Sequence, residues 1–180
     1  MKFRMLAVML LLGAFPAFAQ RASQWMLVQS TLTYHVSSPV HQVSGVSHAA
    51  KGKGICQDGQ CNFLVAAPVK SFSSGDSNRD LHMIEATRGA DNPMVAVRAK
   101  FPEDELQQST IYADLNVQFA GQTAHYAHVP FQRESQGDEV RITGTLPSTC
   151  SDFKFRRPSF LGMSISNEIP VHVDATWKPM

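Results

Sequence analysis

The stretch Ile111-Tyr112-Ala113-Asp114-Leu115-Asn116-Val117-Gln118-Phe119 alternates apolar and polar side chains at almost every step. Successive side chains of a β-strand point to opposite faces, so this run predicts a strand with one buried and one wetted face. The same period of two appears in Phe63, Val65, Ala67 and Val69, in Val140, Ile142, Gly144 and Leu146, and in Ile169, Val171, Val173, Ala175 and Trp177. In the first strand Met26, Val28, Leu32, Tyr34 and Val36 are predicted to share one face, and Gln29, Thr31, Thr33 and His35 the other. Turn-forming residues fall between the runs: Pro39, Gly45, Lys51-Gly52-Lys53-Gly54, Asp58-Gly59, Gly121 and Gly137-Asp138.

Short strands at even spacing predict an all-β fold, an antiparallel meander of about eight strands closed into a barrel, because closure removes exposed edges. A β-sandwich fits the same periodicity. An eight-stranded barrel either fills its interior with side chains or holds one small ligand.

The one polar interruption runs from Ser71 to Glu85. Ser77 with Asp80 three residues on reads as a capping box, Leu81 and Ile84 form a short apolar stripe, Gly89 suits a C-terminal cap and Pro93 ends the segment. This predicts a short helix near residues 77–88, lying over the barrel mouth with Leu81 and Ile84 inward.

The first residues read as an address. Lys2 and Arg4 precede an apolar run from Met5 to Phe15, Pro16 breaks it, and Ala17-Phe18-Ala19 gives a small-x-small site before Gln20. The run is shorter than the roughly 20 apolar residues that span a bilayer. Residues 1–19 are therefore expected to be a cleaved signal peptide and residues 20–180 a single domain, periplasmic or secreted. Loss of Lys2 and Arg4 takes the sixteen basic side chains to fourteen against fifteen acidic, a formal charge of −1. With no basic run, nucleic acid is not an expected partner.

Cys56 and Cys61 flank Gln57-Asp58-Gly59-Gln60, and Asp-Gly is a strong two-residue hairpin turn. With Gln57 and Gln60 closing the turn, the cysteines face each other at a non-hydrogen-bonded rung, close enough for a disulfide. Reduced thiols are the alternative. Cys150 is left over, as a buried inert thiol or as an intermolecular bridge that would make a homodimer. An exposed strand is a second route to such a dimer.

The order of elements now becomes specific. A first strand with Trp25, a Gly-rich hairpin, Asn78-Arg79-Asp80-Leu81-His82, Ser151-Asp152-Phe153 and Arg157-Pro158-Ser159-Phe160-Leu161-Gly162 resembles the YceI-like family. The chain departs from the family in lacking a proline before Arg79-Asp80, in having Arg88-Gly89-Ala90-Asp91-Asn92 after the helix, and in the turn Ala120-Gly121-Gln122-Thr123. The resemblance implies an exported lipocalin-like barrel that binds a polyisoprenoid or another long, fatty amphiphile.

Candidate ligand contacts are the loop-borne Phe72, Met83, Phe153, Phe160 and Leu161, with plugging of the barrel end as their alternative role. Arg79 and Arg157 suit a phosphate or carboxylate head, unless they pair with neighbours such as Asp76 or Asp80. His82 completes the set. The sequence has no nucleophile with a supporting base, so no catalytic residue and no cofactor is expected. The seven histidines and Met83 motivate the runner-up, a periplasmic stress or redox accessory protein with a metal or haem site. Yet no ligand spacing marks such a site; His125 and His128, three apart, are predicted to face opposite ways.

Overall fold

The strand β1 (Ser23–Ser37) is followed by β2 (Gln42–Ser47), β3 (Lys51–Gln57), β4 (Gln60–Pro68), the helix α1 (Ser77–Ala86), β5 (Met94–Pro102), β6 (Thr110–Phe119), β7 (Gln122–Gln136) and β8 (Glu139–Leu146). A two-residue hairpin, β9 (Ser159–Phe160) and β10 (Met163–Ser164), precedes β11 (Val171–Pro179). This computed structural model describes residues 22–37, 42–155, 157, 159–160 and 163–180. The expected signal peptide, Pro39 and Leu161 lie outside the described residues, and so does the side chain of Phe160.

Neighbouring strands pair antiparallel in the order β11, β8, β7, β6, β5, β4, β3, β1, and β11 returns to pair with β1, closing an eight-stranded barrel. Such a closed ring is not a sandwich. β2 is the additional strand: β1 pairs with β3 through its first half and with β2 through its second. At one end, the floor, lie the β3–β4 turn, the 3-10 turn Glu103–Gln107 and the β7–β8 turn. At the other, the mouth, lie α1, the β6–β7 turn and the long segment between β8 and β11.

At the floor the expected disulfide is present. Cys56 and Cys61 are paired residues with Cα atoms 4.0 Å apart, next to the Gln57–Gln60 pair. Asp58 and Gly59, at φ 54° and 75°, make the left-handed two-residue turn that Asp-Gly favours. Both cysteines are fully buried.

Two bulges correct the simple alternation. Pairing between β1 and β11 slips at Val28, so Trp25 and Leu27 face inward before it and Ser30, Leu32 and Tyr34 after it. Met26 and Val28, expected inside, are exposed, because one extra residue reverses the parity of everything beyond it. In β7, Ala127 and His128 together oppose Asp114; His128 takes φ 57° and donates its backbone N–H to the Asp114 carboxylate at 2.9 Å. His125 and His128 are consequently both exposed, not on opposite faces.

Gly45 and the Lys51–Gly54 run, expected as turns, lie inside strands. They provide clearance for aromatic rings: a Cβ on Gly45 would come within 2.3 Å of the Tyr34 ring, and one on Gly54 within 2.5 Å of Phe63.

The helix also differs in detail. Its N-cap is Asp76, whose carboxylate accepts from the backbone N–H of Asn78 and Arg79, and not Ser77. Asp80 instead reaches back to the Ser74 N–H and the Ser73 hydroxyl. At the other end Arg88, not Gly89, takes the left-handed conformation, while Arg88 and Gly89 N–H donate to the carbonyls of Glu85 and Ile84. This is a Schellman stop. The Arg88 guanidinium donates to the Ala120 carbonyl at 2.7 Å, tying the helix to the β6–β7 turn. Leu81, expected inward, is 53% exposed.

Candidate functional site

Because the inward side chains of the eight strands are apolar and mostly of moderate size, they do not fill the barrel. They surround a cavity of about 480 Å³. Every run whose alternation was legible supplies part of the wall, from Val65 and Val117 to Ile142 and Val173, and β5 adds Val95, Val97 and Ala99. The few polar groups on the wall include Tyr34, Arg79, His82, Thr87 and Ser148.

The mouth is built by α1 and two loops. The helix presents Arg79, His82, Met83 and Ala86 to the cavity, since these follow one another around one side of a 3.6-residue helix. Phe72, in the loop before α1, lines the opening and packs on Tyr34 with ring centroids 5.9 Å apart. From the opposite rim Phe153 enters the barrel, almost fully buried, edge-on to Phe119 at 5.3 Å.

Phe153 is held by the residue before it. Asp152 accepts hydrogen bonds from the Tyr126 hydroxyl at 2.6 Å and the Thr149 backbone N–H at 2.9 Å. Burial works against the Asp152 charge, but these hydrogen bonds outweigh it and hold the carboxyl below its usual range. Burial, reinforced by the bond to Asp152 and its charge, pushes the Tyr126 phenol well above its usual range. The Thr149-x-x-Asp152 spacing was the available sequence signal for this turn; its tyrosine partner, 26 residues away, had none.

Arg79 is half exposed and already partnered: its guanidinium sits 3.5 Å from Asp76 and donates to the Ser74 carbonyl and hydroxyl. His82 is more exposed and lies 3.3 Å from Glu85. Burial, with the charge of Asp80 adding to it, raises the pKa of Tyr34, which keeps a neutral phenol on the cavity wall. Arg157 is exposed, donates to the Ile165 carbonyl, and does not line the cavity. The structure thus brings Phe72, Arg79, His82, Met83 and Phe153 to one opening and leaves Arg157 beside it.

Cys150 is buried at 1% exposure, and that burial raises its thiol pKa, so in this structure it is not presented to a second chain. Among the described residues, no three His, Cys, Asp or Glu side chains converge as metal ligands. No described helix is long and apolar enough to cross a membrane.

Comparison with solved structures places this arrangement. BcnA of Burkholderia cenocepacia superposes with a TM-score of 0.69 at 12% identity, over 82% of this chain and 95% of that one. A polyisoprenoid binding domain from Saccharophagus degradans gives 0.65 at 12% identity, over 87% and 98%. The YCEI protein of Campylobacter jejuni gives 0.53 at 13% identity, over 64% and 70%. The fold is that of the YceI proteins. At these identities the YceI likeness is one of architecture, a lipocalin-like barrel, which in this chain carries one short α-helix among the described residues. No protein-family model matches the sequence, and no curated protein does.

Proposed function

We propose that this protein sequesters or carries one long apolar or amphipathic chain, a polyisoprenoid or related lipid, inside its barrel without catalysing a reaction. The observation that carries the proposal is the cavity of about 480 Å³, walled by apolar side chains and open beneath α1. An isoprene unit has five carbons, so its burial is worth about 4 kcal/mol gross at roughly 0.8 kcal/mol per buried carbon. A few units supply a large driving force before ordering costs are subtracted. The wall needs only shape and apolar contact to use it.

Phe72, Met83 and Phe153 would hold the part of the chain nearest the opening, and Arg79 and His82 would meet its polar head. That division, apolar body inside and few polar groups at the rim, is the general form of ligand pockets. The Cys56–Cys61 disulfide supports an oxidising, exported compartment as the place where this happens.

Organic extraction of the protein purified from its exported fraction, followed by mass spectrometry, tests the proposal. A prenyl or acyl chain in near-stoichiometric yield is expected. A barrel that neither carries nor takes up such a chain overturns it.

A further inference from the structure

The floor of the cavity is closed by aromatic rings. Phe63 lies at the centre, with ring centroids 4.7 Å from Trp177, 5.3 Å from Phe101 and 6.4 Å from Trp25. All four rings line the cavity, whereas the buried Cys56 and Cys61 beyond them do not. The disulfide clips the hairpin that carries Phe63, and Gly54 leaves the room its ring occupies. A chain entering at the mouth therefore meets a packed, cross-braced stop, not a tunnel.

The depth of that stop sets a length. A dry cavity of 150 Å³ holds benzene, which gives roughly 25 Å³ for each carbon. At that figure about 480 Å³ holds on the order of twenty carbons. We infer that the aromatic floor acts as a ruler, so that the barrel takes a single chain of about twenty carbons, such as four isoprene units or a long acyl chain, and leaves any excess outside the mouth. This inference rests on the proposed lipid-carrying function and adds a chain-length limit to it.

Two side chains should reset the ruler. Phe101 is part of the floor, and Ala99 sits one inward step above it, paired with Phe63 and facing the cavity. Phe101→Leu removes about three carbons from the wall, and Ala99→Leu adds about three.

The test is competition from detergent micelles. Delipidated protein is equilibrated with an equimolar series of straight-chain primary alcohols of about 10 to 28 carbons, and the bound fraction is quantified by extraction and mass spectrometry. Micelle and barrel both bury a chain that fits, so enrichment on the protein should stay level up to about twenty carbons. Each further carbon is wetted on the protein and not in the micelle, so enrichment should then fall about fourfold per carbon. The break should move up by about three carbons in Phe101→Leu and down by about three in Ala99→Leu, each variant first shown to be folded by thermal melting. Level enrichment through 28 carbons, or a break that neither folded variant moves, overturns the ruler while leaving lipid carriage intact. Failure of the wild-type protein to retain any alcohol overturns lipid carriage, and the ruler with it.

Discussion

The Tyr126 hydroxyl donates a 2.6 Å hydrogen bond to the Asp152 carboxylate, joining the barrel wall to the rim segment that inserts Phe153. Asp152 has a lowered pKa in the folded protein, so its contribution to stability is present above the ordinary carboxylate range and is lost as pH falls through the folded value. Tyr126 has a raised pKa, so its contribution is present below the unfolded value near 10 and is lost as pH rises through the folded one. Thermal melts against pH should show both limbs. Tyr126→Phe should flatten the alkaline limb without abolishing it, since burial also raises the Tyr34 phenol and the Cys150 thiol. Asp152→Asn should flatten the acid limb without abolishing it, since Asp76, Asp80 and Asp174 are also held low by their hydrogen bonds.

Replacing both Cys56 and Cys61 by Ser should lower stability by about 2 kcal/mol, the effect of opening so short a loop, measured by urea unfolding. Thiol titration without reductant should find one thiol after unfolding and almost none before it, because Cys150 is buried. Three titratable thiols would exclude the disulfide.

Arg88 combines a left-handed backbone with the bond to Ala120. Arg88→Ala loses the bond and keeps the strain, whereas Arg88→Gly loses the bond and relieves the strain. The glycine variant should be the more stable of the two by about 1 kcal/mol. Hydrogen exchange in α1 should quicken in both, since both release the helix from the β6–β7 turn.

Gly54→Ala drives a methyl group into the Phe63 ring and should cost about 1–3 kcal/mol. Adding Phe63→Leu should recover part of that loss, a non-additivity expected of touching residues. Additive losses in urea unfolding would show that the strand had shifted to accept the methyl.

Arg79→Ala breaks an exposed pair with Asp76 and exposed hydrogen bonds to Ser74, and should lower stability by less than about 1 kcal/mol. If Arg79 meets a ligand head, the chain retained through purification should fall severalfold. Lost stability with unchanged retention would assign Arg79 to its structural contacts with Asp76 and Ser74.

Much of this was legible in the chain because period-two alternation is a direct image of a strand with one buried face. The runs at Phe63–Val69, Ile111–Phe119, Val140–Leu146 and Ile169–Trp177 all supply the cavity wall. The bulges at Val28 and His128 were not legible, since an extra residue in a strand leaves no mark in composition. Gly45, Gly52 and Gly54 read as turns because clearance for a ring on a neighbouring strand is a tertiary fact. Asp76 and Ser77 are both good N-caps, and only the hydrogen bonds decide between them. Phe72, Met83 and Phe153 stood out as apolar residues outside regular strands. The Tyr126–Asp152 bond joins residues too far apart in sequence to be paired by eye.

The seam between β1 and β11 joins the two barrel strands most distant along the chain. Every other neighbouring pair is joined by a hairpin or by a single connecting segment, but the wall has a gap until β11 docks on β1, and such long-range pairing carries the largest loop-closure cost in the barrel. The container is thus completed by its final strand. Until then the interior is an open trough, so an enclosed cavity exists only once the first and last barrel strands have met.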